Sequence, residues 1–103
     1  MPLWIMCFNL KDGVSEEELV KLLKEYSDMK IEGFGSSKLY CHHLVGANRR
    51  TYQLHMEFKD FAAWDKLLAF VQKDAKGARF YQKWRSLIDM KTHYDEFVRE
   101  IPL

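Results

Sequence analysis

The sequence predicts an α+β fold: one antiparallel four-stranded sheet with its helices on a single face. Three observations lead there. A short apolar run opens the chain and runs straight into a capped amphipathic helix. Two β-rich runs in mid-chain are separated by a single turn segment. Two further helical stripes then lead to a final strand-like tail. The order is β-α-β-β-α-(α)-β, the split-βαβ or ferredoxin-like order, whose usual solution is strand order 4-1-3-2.

Residues 3–10, "LWIMCFNL", form a short apolar run stopped by the turn signal "KDG", and read as a strand buried on both faces. Ser15 can cap the next element, with Glu18 three residues on completing a capping box and Val14 and Leu19 placed for a hydrophobic staple. Leu19, Leu22, Leu23 and Tyr26 repeat at helical spacing, so a helix is expected over residues 16–29, ended by "EGFG". Lys38 to Val45 and Thr51 to Phe58 read as a hairpin around "GANRR". Asp60 is the expected cap of a second helix with Phe61, Trp64, Leu67, Leu68 and Val71 on its apolar stripe. "KDAKG" interrupts it, and a third stripe follows with Phe80, Tyr81, Trp84, Leu87 and Ile88. The tail "THYDEFVREI" reads as the last strand. No repeat, linker or low-complexity segment divides the chain, so residues 1–103 are expected to form one domain.

Composition limits the functions. Lysine and arginine total 16 against 15 aspartates and glutamates, which leaves no surplus charge for neutralising phosphates, so no nucleic-acid partner is expected. No apolar run is long enough to cross a bilayer and the start of the chain has no basic signal region, so no membrane partner is expected and a cytoplasmic location is. Two cysteines, Cys7 and Cys41, fit reduced thiols there. In the expected strand order they lie two strand spacings apart, roughly 9.6 Å. That exceeds disulfide reach, and both read as small core fillers.

One face of such a sheet packs under the helices, and nothing in the chain is left to cover the other. A second copy of the sheet would do so, and a homodimer is expected. "FNLKDGVSEEEL" resembles the strand–turn–helix opening of the dimeric α+β barrel superfamily, particularly its stress-responsive A/B-barrel members. The third helix leading into "THYDEFVREI" is similar in layout to the NIPSNAP-like and antibiotic-biosynthesis-monooxygenase relatives. The resemblance implies two sheets packed as a barrel, with a pocket in each protomer between sheet and helices or within the barrel. Members include cofactor-free oxygenases, polyketide cyclases, haem enzymes and proteins with no assigned activity. Trp4 stands where members with a catalytic histidine on the first strand carry it, and Asn9 stands where a lysine often follows. That catalytic set is therefore not carried over.

The hairpin holds the residues most capable of chemistry. Neighbours on a strand point to opposite faces, so His42 and His43 cannot share one metal ion. A four-residue turn over Ala47 to Arg50 pairs Gly46 with Thr51, Val45 with Tyr52, His43 with Leu54, His42 with His55, Cys41 with Met56 and Tyr40 with Glu57. One face then reads Leu39, Cys41, His43, Val45 with Tyr52, Leu54, Met56, Phe58. The other reads Lys38, Tyr40, His42, Leu44 with Gln53, His55, Glu57, a semi-polar wall. Two histidines and a carboxylate could form a metal triad, but no HxxE, HxH or CxxC spacing supports one, and neither metal nor cofactor is expected. Tyr40, His42, His55 and Glu57 are the expected acid–base groups. The aromatic and methionine side chains beside the sheet can leave an apolar cavity, with Trp4, Met6, Phe8, Gln53, Trp64, Tyr81, Trp84 and His93 as the expected ligand contacts. Three functions follow in order: binding of an apolar fatty-acyl, polyketide or aromatic molecule; a cofactor-independent oxygenase or cyclase/isomerase; and a non-catalytic stress or interaction module. Whether it is an enzyme stays open at this point.

Overall fold

The computed structural model describes residues 2–42 and 51–103. Its elements are β1 (Leu3–Leu10), α1 (Glu16–Met29), β2 (Phe34–Cys41), β3 (Tyr52–Phe58), α2 (Phe61–Lys73), α3 (Ala75–Leu87) and β4 (Ile88–Val98). The strands form one antiparallel sheet in the order β2-β3-β1-β4, the expected order read from the other edge. The fold is ferredoxin-like, with the optional third helix present.

Local chemistry sets the helix boundaries. Ser15 caps α1 by accepting from the Glu18 N–H at 3.3 Å, and Asp60 caps α2 by accepting from Ala63 N–H at 3.0 Å. Asp74 ends α2 and starts α3, its carboxylate accepting from the N–H groups of Lys76 and Gly77. The two helices meet closely at Gly77, where a side-chain Cβ would run into the Phe70 carbonyl oxygen. Leu19, Leu22 and Tyr26 of α1, Leu67 of α2 and Trp84 of α3 join one core with Trp4, Met6, Phe8, Leu54, Met56 and Phe58 of the sheet.

The hairpin differs from its expected register. Cys41 pairs with Tyr52, Tyr40 with Gln53, Leu39 with Leu54 and Lys38 with His55. Each β2 residue therefore lies opposite a β3 residue four positions earlier than expected. An offset of four is even, so every side chain keeps its face while changing its partner. Burial of Leu39, Leu54 and Met56 forbids odd slips and tolerates even ones. The expected partners Val45, His43 and Gly46, the Ala47–Arg50 turn and Leu44 lie outside the described residues.

Two strands also begin four residues before their expected starts. β2 starts at Phe34 because "GFGSS" pairs through its backbone despite its glycines and serines. β4 starts at Ile88, which the helical stripe had claimed, and its pairing with β1 shifts between Cys7 and Asn9. At that bulge the Asn9 N–H donates to the Thr92 hydroxyl at 2.9 Å in place of a ladder bond. Both cysteines are free; Cys7 is buried as expected, whereas Cys41, at the end of edge strand β2, is exposed and fills no core.

A cavity between sheet and helices

The inner face of the sheet does not close completely on its helices. A cavity of about 220 Å³ remains. Its floor is Trp4 and Met6 of β1, Leu54 and Met56 of β3, and Met90, His93 and Asp95 of β4. Above lie Leu23 and Tyr26 of α1, a row from α2 including Trp64, Leu67 and Val71, and Phe80, Tyr81 and Trp84 of α3. The space exists because large rigid rings and thioether chains tile it imperfectly. Trp4 meets Trp64 edge-on at 4.2 Å between ring centroids, and Phe80 stacks near Trp84 at 6.4 Å.

Nearly all of the lining is apolar, and its charged groups gather at one corner. His93 and Asp95 leave the same face of β4, two residues apart. Asp95 Oδ1 accepts from Trp4 Nε1 at 3.0 Å and lies 3.6 Å from His93 Nε2. The His93 side chain is 16% exposed and that of Asp95 34%, so solvent reaches this corner. The Tyr26 hydroxyl donates to Met56 Sδ at 3.5 Å, a weak acceptor. Burial pushes the Tyr26 pKa up to about 12, so the phenol keeps its proton throughout the neutral range.

Of the eight side chains expected to contact a ligand, Trp4, Met6, Trp64, Tyr81, Trp84 and His93 line this cavity. Phe8 and Gln53 do not. Phe8 is fully buried, stacked on Tyr52 and edge-on to Trp84, and has no surface left to offer. Gln53 lies on the opposite face of the sheet. The sequence reading missed Asp95 and Tyr26. Asp95 was hidden because "HYDEFV" mixes polar and apolar residues on both faces, and Tyr26 because a tyrosine on a leucine stripe reads as core.

Tyr40, His42, His55 and Glu57 all face away from the cavity, and they do not converge. His42 does not oppose His55. Its N–H donates to the Thr51 carbonyl at 2.8 Å, which places the two histidines roughly 13 Å apart along the strands. Tyr40 and His55 do meet, with ring centroids 4.7 Å apart, and His55 Nε2 lies 3.0 Å from Gln53 Oε1. Burial, then the Lys38 ammonium across the strand pair, lowers the His55 pKa below its ordinary value. Glu57 is exposed beside Leu3. Among the described residues, no three His, Cys, Asp or Glu side chains gather as a metal site.

No helix lies over this second face among the described residues. Tyr40, Tyr94 and Val98 are 39–48% exposed there, around half-buried Leu3 and Ile5. No described helix is long and apolar enough to cross a membrane.

No protein-family model matches the sequence, and no curated protein matches it at a significant level. Solved structures do. The Arabidopsis thaliana protein At3g17210 superposes with a TM-score of 0.78 at 16% identity, over 100% of this chain and 98% of its own. SnoaB, a cofactor-independent oxygenase from Streptomyces nogalater, superposes in its N63A form with a TM-score of 0.68 at 12% identity, over 99% and 94%. A dimeric ferredoxin-like protein of unknown function from Thermobifida fusca gives 0.66 at 8%, over 94% and 88%. At these identities the likeness establishes the ferredoxin-like fold alone, the fold that the resemblance in sequence implied.

Proposed function

We propose that this protein is a homodimer that binds a small, largely apolar molecule in the helix-side cavity of each subunit. The supporting observation is the cavity itself: about 220 Å³, walled by aromatic and aliphatic side chains, with a single charged corner at His93 and Asp95. Dry cavities of about 150 Å³ take up benzene, so this one suits a one- or two-ring molecule or a short acyl chain. The charged corner would orient a polar group at one end of such a ligand. The homodimer is supported by the uncovered sheet face and by the dimeric neighbour.

Native mass spectrometry of freshly purified protein tests this reading. The expected species is a dimer carrying one small adduct per subunit, released on denaturation. An empty protein whose tryptophan emission ignores one- and two-ring aromatics and short acyl acids contradicts it.

A second reading, a cofactor-independent oxygenase or cyclase/isomerase, draws on the likeness to SnoaB and on the presence of an ionisable pair inside the cavity. It places the working groups at His93 and Asp95 rather than at Tyr40, His42, His55 and Glu57.

A further inference from the structure

The charged corner has the parts of a proton-transfer site. Asp95 is fixed by the Trp4 indole, and the same oxygen faces His93 Nε2. The carboxylate stands beside the ring at ion-pair distance, and a neutral imidazole has a ring nitrogen able to accept a proton. The Trp84 ring stands edge-on to the imidazole, 6.5 Å between centroids at 88°. Tyr26 supplies a hydroxyl whose present acceptor is a thioether sulfur, which a ligand oxygen would replace with a stronger bond. One base and one neutral donor within an apolar wall match a carbonyl compound with an acidic C–H beside its C=O.

We infer that His93 is a catalytic base, held in place by Asp95, and that the protein moves protons at the carbon next to the carbonyl of a one- or two-ring ketone, with Tyr26 donating to the carbonyl oxygen. The inference rests on the cavity's being the ligand site. In the step, the C–H bond breaks and its proton passes to His93. The electron pair forms a carbon–carbon double bond as the carbonyl pair moves onto oxygen, giving an enolate hydrogen-bonded by Tyr26. Return of the proton to the same carbon, or to a conjugated one, restores the carbonyl and neutral His93. The result is exchange or isomerisation, and no oxidant or other reagent is consumed. The titratable groups facing His93 are Asp95 on its own strand, Tyr26 of α1 and Tyr81 of α3; the cavity residues of β1, β3 and α2 have none.

The test uses the full chain in D2O with 1-indanone, following deuterium incorporation by mass spectrometry and occupancy by quenching of tryptophan emission. Wild type should quench and should accelerate exchange over buffer. His93→Gln should still quench while losing exchange by about 100-fold or more. Asp95→Asn should lower exchange at saturating ketone while leaving the ketone concentration for half-quenching unchanged, and Asp95→Glu should restore part of the rate; a merely structural role would weaken quenching as well. Quenching without exchange above buffer overturns the inference and leaves ligand binding standing. So does exchange undiminished in His93→Gln. Neither quenching nor exchange overturns both.

Discussion

The two faces of the sheet share four strands and almost nothing else. Inner-face residues Trp4, Met6, Leu54 and Met56 are each under a tenth exposed, yet they line a cavity. The other face carries Tyr40, His55, Gln53, Tyr94 and Glu96 around Leu3 and Ile5, with no helix above it among the described residues. Imperfect packing on one side and missing cover on the other have different physical meanings. A helix-side cavity in a dense apolar shell lacks some of the dispersion contacts of close packing. An uncovered face mixing aromatic, aliphatic and charged groups has the makeup of a surface that meets another protein. The polar residues most conspicuous in the sequence lie on the second kind of surface, and the cavity's own charged pair comes from the tail.

The contrast can be broken by mutation. The largest effect should come from Phe8→Ala, which removes a fully buried ring from between Tyr52 and Trp84 and should cost about 3–5 kcal/mol in urea unfolding. A loss below about 1 kcal/mol would mean that the inner face is not the core. Ile5→Asp, at the centre of the uncovered face, should leave the fold intact and weaken dimerisation by about 100-fold or more, because it buries a second carboxylate directly opposite Glu96. Sedimentation or light scattering reads this directly; an unchanged dimer would place the subunit contact elsewhere.

A smaller effect comes with pH. Burial raises Tyr26 to about 12, and burial followed by the hydrogen bond to Glu16 raises Tyr52 to about 12. In the unfolded chain both ionise near 10. The stabilisation is therefore fully present below about pH 10 and is lost as the pH climbs through 12, about 2–3 kcal/mol for Tyr26 and less for Tyr52, whose hydroxyl and Glu16 partner are screened by solvent. Tyr52→Phe should flatten the alkaline fall in melting temperature by its share. An unaltered alkaline limb would show that Tyr52 titrates normally in the folded state.

How much of this was legible in the sequence follows from which interactions are local. Ser15, Asp60 and the leucine and aromatic stripes act within a few residues, and the three helices and the strand order follow from them. The faces of the hairpin were also legible, because alternation needs no knowledge of partners. Its register was not: the expected short turn over Ala47 to Arg50 selected one even offset, while the sheet adopts another with the same sidedness. That difference of four residues separates His42 from His55 and dissolves the expected cluster. The β4 bulge was equally hidden, since Thr92 substituting for a ladder bond depends on Asn9, more than eighty residues away. The cavity's aromatic wall could be anticipated from composition and spacing, but its charged corner needs Trp4 and Asp95, from opposite ends of the chain, to meet.

All three tryptophans, Trp4, Trp64 and Trp84, line the cavity, so their emission reports its occupant and nothing on the other face. The most direct test is a quenching titration with 1-indanone on wild type, on Val71→Phe, which fills the cavity, and on a Tyr40→Ala, His55→Ala double variant of the opposite face. The account predicts saturable quenching in wild type and in the double variant, and affinity weakened by about tenfold or more in Val71→Phe. Quenching that survives Val71→Phe and disappears in the double variant would contradict it.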